Sequence, residues 1–179
     1  MSRDAQRSAV YAAEDQLARL LARGGRVDFF GSSLTLPVER RFADVDSVQR
    51  YVEAVLDVPA IRERWSGLPP VRARTRAGGG RAHYEAGDPA VIAIPLAGPV
   101  EARWAARETV VLHEIAHHLT MSSAPAPAAS PEPPHGPRFC GTLLFLLGVA
   151  IGPEAALALR AFLDGAGVPV EELAVEAAP

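Results

Sequence analysis

The stretch Val110-Val-Leu-His-Glu-Ile-Ala-His-His-Leu-Thr120 sets two histidines four residues apart, with a glutamate beside the first, into an otherwise apolar run. In a helix, His113 and His117 lie on one face, about 40° apart around the axis and about 6 Å along it, so both rings can reach a single ion. Glu114 stands about 100° round from His113, beside such ligands without competing for the ion. H-E-x-x-H on a helix is a zinc-hydrolase signature in which the two imidazoles bind metal and the glutamate is the general base. Val110, Val111, Leu112, Ile115, Ala116 and Leu119 make the segment too apolar for a solvated surface helix. It is expected to be buried. Imidazoles and a carboxylate in an apolar interior are costly unless partnered, and a bound divalent cation supplies one explanation for their presence.

The chain has 179 residues, which fits one domain, 1–179, with a core of useful size. A formal charge of −3 and a pI near 6.0 give no global argument for nucleic acid or an anionic membrane. All 18 basic residues are arginine, which reads as genomic bias. Cys140 is the single cysteine, so an intramolecular disulfide and a thiolate zinc cluster are both excluded. The N-terminal residues lack the apolar core of a signal peptide, and a reducing, cytoplasmic location is expected. Phe139–Ile151 is the most apolar run, too short to cross a bilayer, and is read as a core helix.

An amphipathic helix is predicted within residues 1–24, from Val10, Leu17, Leu20 and Leu21, and Gly24-Gly25 ends it. Short strands follow at 27–30 and 34–38, then a helix capped by Asp46 or Ser47 and carrying Val48, Tyr51, Val52, Val55 and Leu56. Pro59 interrupts that helix. Residues 71–76 and 81–85 alternate in strand fashion around Gly78-Gly-Gly80, which predicts a hairpin. Residues 90–96 are the best strand, with Pro95 arguing for an unpaired edge. The motif helix is expected to run from about Glu101 to Leu119. Residues 121–134 have the composition of a Pro-rich loop, and helices follow from Pro137 to about Val149 and from Pro153 to about Leu163. Residues 165–179 read as a loose tail.

A hydrolytic zinc centre needs three protein ligands and an open position, so one ligand must come from outside the motif. The candidates are His135, Glu132, Glu154, His83 and His118. His118 points about 100° away from His117, so it does not easily share the same ion and is read as an outer contact to the site or as simple helix-end packing. The metzincin continuation fails, because Thr120 replaces its glycine and Ser123 its last histidine. His135 is favoured: it precedes a helix whose apolar face, Phe139, Leu143, Leu146 and Leu147, would bring its start toward the ion. Tyr84 and Arg138 are the available donors for a developing oxyanion. Cys140 is read as a buried small side chain without chemistry.

Three features carry a more specific likeness: the opening Arg3-Asp-Ala-Gln-Arg-Ser-Ala-Val-Tyr-Ala-Ala-Glu14, the strand-to-helix passage ending in His113-Glu-Ile-Ala-His-His118, and His135-Gly-Pro-Arg-Phe139. In these the chain resembles the actinobacterial family of small HEXXH metallohydrolases, and more distantly SprT-type and other gluzincin-like metallopeptidases. The resemblance implies an α+β, compact zincin-like domain in which a small antiparallel or mixed sheet packs on the active-site helix, with further helices at both termini. It also implies His135 as third ligand to Zn2+ and Glu114 as general base.

The expected activity is zinc-dependent hydrolysis of a peptide, with the strand at 91–94 free to pair with an extended substrate. Hydrolysis of a small amide or ester is the alternative within enzymes. A non-catalytic zinc protein is the competing class, and the presence of Glu114 argues against it. Arg72, Arg74, Arg76 and Arg81 around the hairpin suggest nucleic acid only weakly, being read as the wet face of a sheet.

Overall fold

The computed structural model describes residues 4–77, 81–98, 104–122 and 132–173. In chain order they form α1 (Arg7–Arg23), β1 (Gly25–Phe29), β2 (Ser32–Leu36), α2 (Val45–Leu56), α3 (Pro59–Arg64), β3 (Val71–Thr75), β4 (His83–Glu85), β5 (Ala90–Ile94), a 3-10 turn (Trp104–Ala106), α4 (Glu108–Ser122), α5 (Pro137–Ala150) and α6 (Pro153–Gly165). The chain is α+β and divides into two units, Met1–Val38 with Ala126–Pro179, and Glu39–Pro125.

In the first unit, Val10, Ala13, Leu17 and Leu21 recur at helical spacing and bury one face of α1. That helix packs on α6, whose buried residues are Ala155, Ala158, Leu159 and Leu163, and α6 in turn packs on α5. α5 buries Phe139, Leu143, Leu146 and Leu147, the face expected from the sequence. β1 and β2 form an antiparallel hairpin with Phe29 opposite Ser32. Both residues of its two-residue turn, Phe30 and Gly31, have positive φ, the geometry that suits the twist of the flanking strands. Phe29 anchors the hairpin by an edge-on contact with Phe162, ring centroids 5.6 Å apart.

The tail, expected to be loose from Gly165 onward, is anchored as far as Leu173. Val168 is buried, and the Glu171 amide donates to the Pro137 carbonyl at 2.9 Å. This approach explains Gly141, since a Cβ there would lie 2.1 Å from the Glu171 carbonyl oxygen. Residues 174–179 lie outside the described residues.

In the second unit, the sheet order is β3-β5-β4, with β3 parallel and β4 antiparallel to β5. This corrects the expected hairpin: β3 and β4 do not pair with each other, because β5 lies between them. It also removes the expected free edge on residues 91–94: Val91, Ile92 and Ala93 are paired on both sides, and Ile94 is paired with Thr75 of β3. Pro95 falls one residue past the strand and costs the ladder nothing. Ala90, Ile92, Ala93 and Ile94 are fully buried, as a central strand requires. The outer edge of β3 is covered by Gln49 of α2, whose side chain accepts from the Ala73 amide at 2.7 Å and donates to the Val71 carbonyl at 3.3 Å.

α2 begins earlier than predicted. Asp44, not Asp46 or Ser47, is the N-cap; it accepts from the Ser47 amide at 2.7 Å while Ser47 Oγ accepts from the Asp44 amide at 3.2 Å. The Ser47 hydrogen bonds hold the Asp44 carboxyl below its ordinary pKa. A folded-state value below the unfolded one means that the cap stabilises above the unfolded value and fades as pH falls through the folded one. Asp44→Ala should therefore lower Tm at neutral pH, and the gap from wild type should close in acid when both are followed by thermal circular dichroism. Pro59, read as an interruption, instead opens α3 at a position where proline's missing N–H costs no helical bond.

The motif helix starts later than expected. α4 begins at Glu108, preceded by the 3-10 turn, and residues 99–103, including Glu101, lie outside the described residues. Two carboxylates fix this start. Glu39 accepts from the Thr109 amide at 3.1 Å and from its hydroxyl at 2.6 Å, and also from Arg107 Nε at 2.8 Å. Glu108, only 1 % exposed, accepts from the Arg40 amide at 2.9 Å, the Tyr51 hydroxyl at 2.7 Å and the Arg40 guanidinium. Negative charge in the first turn also complements the helix dipole. Burial and the facing Glu108 carboxylate push the Tyr51 phenol above its ordinary pKa, so Tyr51 is held as a donor. Glu108→Ala strands these donors and is expected to cost about 2–3 kcal/mol in urea denaturation.

Candidate metal centre

α4 is buried almost along its whole length: Val111, Leu112, Ile115, Ala116 and Leu119 are fully covered, and so, nearly, are His113, Glu114, His117 and His118. The helix contacts β4 and β5, so the apolar run serves as core while the motif supplies the polar groups within it. This bears out the expectation of a buried helix.

His113 and His117, one turn apart, bring their Nε2 atoms to 3.2 Å, with ring centroids 4.8 Å apart and planes at 77°. Two corners of a tetrahedral zinc site, with Zn–N bonds of about 2.0–2.1 Å, are separated by about 3.3 Å. The pair therefore already has the spacing of two ligands to one ion. The same spacing lets one neutral ring donate to the other when no ion is held. Glu114 follows His113 on the same helix and is buried with it.

His118 faces elsewhere, as its position predicts. It is fully buried, its Nδ1 lies 3.2 Å from the Tyr84 hydroxyl and 3.4 Å from Ser122 Oγ, and burial lowers its pKa. Tyr84, one of the two suggested oxyanion donors, thus has its hydroxyl against His118. It ties β4 to the last turn of α4.

His135 belongs to the unit that contains α1, α5 and α6. It lies just before α5, is buried, and stacks obliquely on Tyr11 and edge-on to Phe139, at 5.2 Å and 5.0 Å between centroids. Its Nδ1 is 2.7 Å from Asp4 Oδ2. A carboxylate only accepts, so the contact calls for a proton on Nδ1, and a neutral ring in that tautomer presents Nε2 as an acceptor. Among the described residues, His113, His117 and His135 make up a group of three buried side chains that could hold a metal ion.

The other candidate ligands have visible alternative work. His83 is 40 % exposed and lies in a surface network, 2.7 Å from Glu85 and 2.9 Å from Arg76. Glu132 accepts from the Arg138 amide at 2.9 Å at the start of α5, and a Cβ on Gly136 would lie 2.6 Å from its carboxylate, so glycine makes room for this cap. Glu154 sits in the first turn of α6, where its charge suits the helix dipole. Of Arg138, the second suggested oxyanion donor, the backbone is engaged with Glu132.

Cys140 is buried beside His135, its thiol pushed up to about 12 by burial and by the nearby acids Glu14, Glu132 and Asp4, in keeping with a side chain that has no chemistry. Of the arginines of β3 and its flank, Arg74 pairs with Glu85, and Arg76 donates to the Arg81 carbonyl and meets His83. No helix among the described residues is long and apolar enough to cross a membrane.

Asp4 is the site residue that sequence reasoning missed. It precedes an amphipathic helix and reads locally as part of a helix start, while its partner lies 131 residues away. Comparison with protein-family models, curated protein sequences and solved structures finds no match for the chain.

Proposed function

We propose that this protein is a zinc-dependent hydrolase, in first place a metallopeptidase, with His113, His117 and His135 as ligands and Glu114 as general base. The observation that carries the reading is the 3.2 Å separation of the His113 and His117 Nε2 atoms on a buried helix that also carries Glu114. The donor set fits the ion: three neutral imidazoles are a known ligand set for catalytic zinc and leave one position open. A purely structural site calls for four protein ligands and has no use for a carboxylate next to the first histidine.

When bound, such an ion acidifies water and polarises a carbonyl. The chain's own groups do the rest. The Glu114 carboxylate accepts the proton of the attacking water and returns it to the leaving nitrogen, acting as base and then as acid. His113 and His117 are positioned by the rigid turn of α4, and the helix is held at its start by Glu39 and Glu108. Burial around the motif keeps bulk water from competing for the same groups.

A mixed sheet lying on the motif helix supports the zincin-like reading of the fold. With β5 enclosed, an extended substrate would add instead to β4, the strand at the end of the sheet order that also contacts α4. The test is metal content together with cleavage of a peptide library. One zinc per chain and cleavage that chelation removes are expected; stoichiometric zinc with no cleavage of peptides would move the reading to a small amide or ester, and no zinc would end it.

A further inference from the structure

The Asp4–His135 pair has an energetic imbalance as it stands. The Asp4 side chain is 22 % exposed, yet its Oδ1 is buried with no hydrogen-bond partner, and Oδ2 meets a single partner, the His135 ring, at 2.7 Å. A carboxylate withdrawn from water with one oxygen unpartnered is poorly compensated by a single contact to an imidazole. It is well compensated when the far nitrogen of that imidazole bears a cation, because the ring then carries positive charge toward the carboxylate. A carboxylate–histidine pair of this kind also fixes the ring tautomer and raises the basicity of the metal-facing nitrogen.

We infer that Asp4 is the positioning residue of the metal centre, holding His135 in the Nδ1-protonated tautomer with Nε2 presented as ligand. This rests on the metal-binding reading above. Three contacts fix the ring. Asp4 bonds Nδ1, Tyr11 lies obliquely on one side of the ring and Phe139 meets it edge-on, so it can neither swing nor flip without losing the bond to Asp4. Asp4 is in turn held by the helix that follows it, its carbonyl accepting from the Arg7 amide at 3.4 Å. The opening segment of the chain thereby acquires a role in the chemistry and is more than a packing helix.

The test uses the full chain as wild type, Asp4→Ala, Asp4→Asn and His135→Ala, each checked for folding by far-UV circular dichroism. In metal-free protein, long-range 1H–15N NMR of the histidine rings, with the His135 signals assigned by their loss in His135→Ala, should show the Nδ1–H tautomer in wild type. In Asp4→Ala the tautomer should move toward Nε2–H, and in Asp4→Asn, whose amide oxygen still accepts, it should be retained. Zinc affinity, measured by competition with a chromophoric chelator, should fall by about 10–100-fold in Asp4→Ala and by less in Asp4→Asn. Wild-type tautomer and wild-type affinity in Asp4→Ala would overturn the inference while leaving the three-histidine reading intact. Failure of wild type itself to bind zinc would overturn that reading, and the tautomer measurement would still decide whether Asp4 sets the ring.

Discussion

Glu114→Gln is expected to keep one zinc per chain and to lose turnover, by about 10²–10⁴-fold on any substrate that wild type cleaves. Glutamine is nearly isosteric with glutamate, so the packing of α4 is preserved at a position that is only 4 % exposed. What disappears is the ability to take a proton. The two readouts must separate: metal content unchanged, kcat reduced, and KM altered little, because the lost interaction belongs to the transition state. Equal loss of metal and activity would make Glu114 a ligand and not a base. Undiminished turnover would remove it from the chemistry.

The complementary result is expected of the ligands. His117→Ala and His135→Ala should each weaken zinc binding by more than about 100-fold, beyond what loss of an outer partner costs. The effect is also visible in stability. At free zinc a thousandfold above Kd, binding adds about 4 kcal/mol, which for a chain of this size raises Tm by about 10 °C. Wild type and Glu114→Gln should show that shift; His117→Ala and His135→Ala should not. His83→Ala and Glu132→Gln serve as the contrast, since His83 lies in a surface network and Glu132 caps α5. A zinc-dependent shift that survives in His135→Ala but vanishes in Glu132→Gln would transfer the third ligand to the glutamate.

The helices were readable because their information is local. Val10, Leu17 and Leu21 on α1, or Phe139, Leu143, Leu146 and Leu147 on α5, repeat at helical spacing, and Gly and Pro mark the ends. The motif was readable for the same reason, since its chemistry and its turn of helix occupy five consecutive residues. The sheet was not. Gly78-Gly-Gly80 between two alternating runs has the local signature of a hairpin, whereas β5 enters between β3 and β4 by a pairing that no neighbouring residue announces. The apolar run of β5 carries the signal of a central strand, and Pro95, which argues locally for an unpaired edge, lies just outside the ladder.

The cap of α2 lies two residues before Asp46 and three before Ser47, at Asp44, and all three side chains offer the same capping chemistry. Most hidden were the long-range polar partners. Glu108 meets Tyr51 across 57 residues and Asp4 meets His135 across 131, and burial alone makes either pair matter. Site residues of this kind emerge only once the fold has brought them together.

The proposed centre is one divalent ion held by three imidazoles with a position left open. X-ray absorption at the zinc edge of the zinc-loaded full chain tests it most directly. The account predicts a four-coordinate first shell of three imidazole nitrogens at about 2.0–2.1 Å and one further light donor that exchanges with solvent or an added anion. A shell closed by four protein ligands, one with only two imidazoles, or the absence of stoichiometric zinc would contradict it.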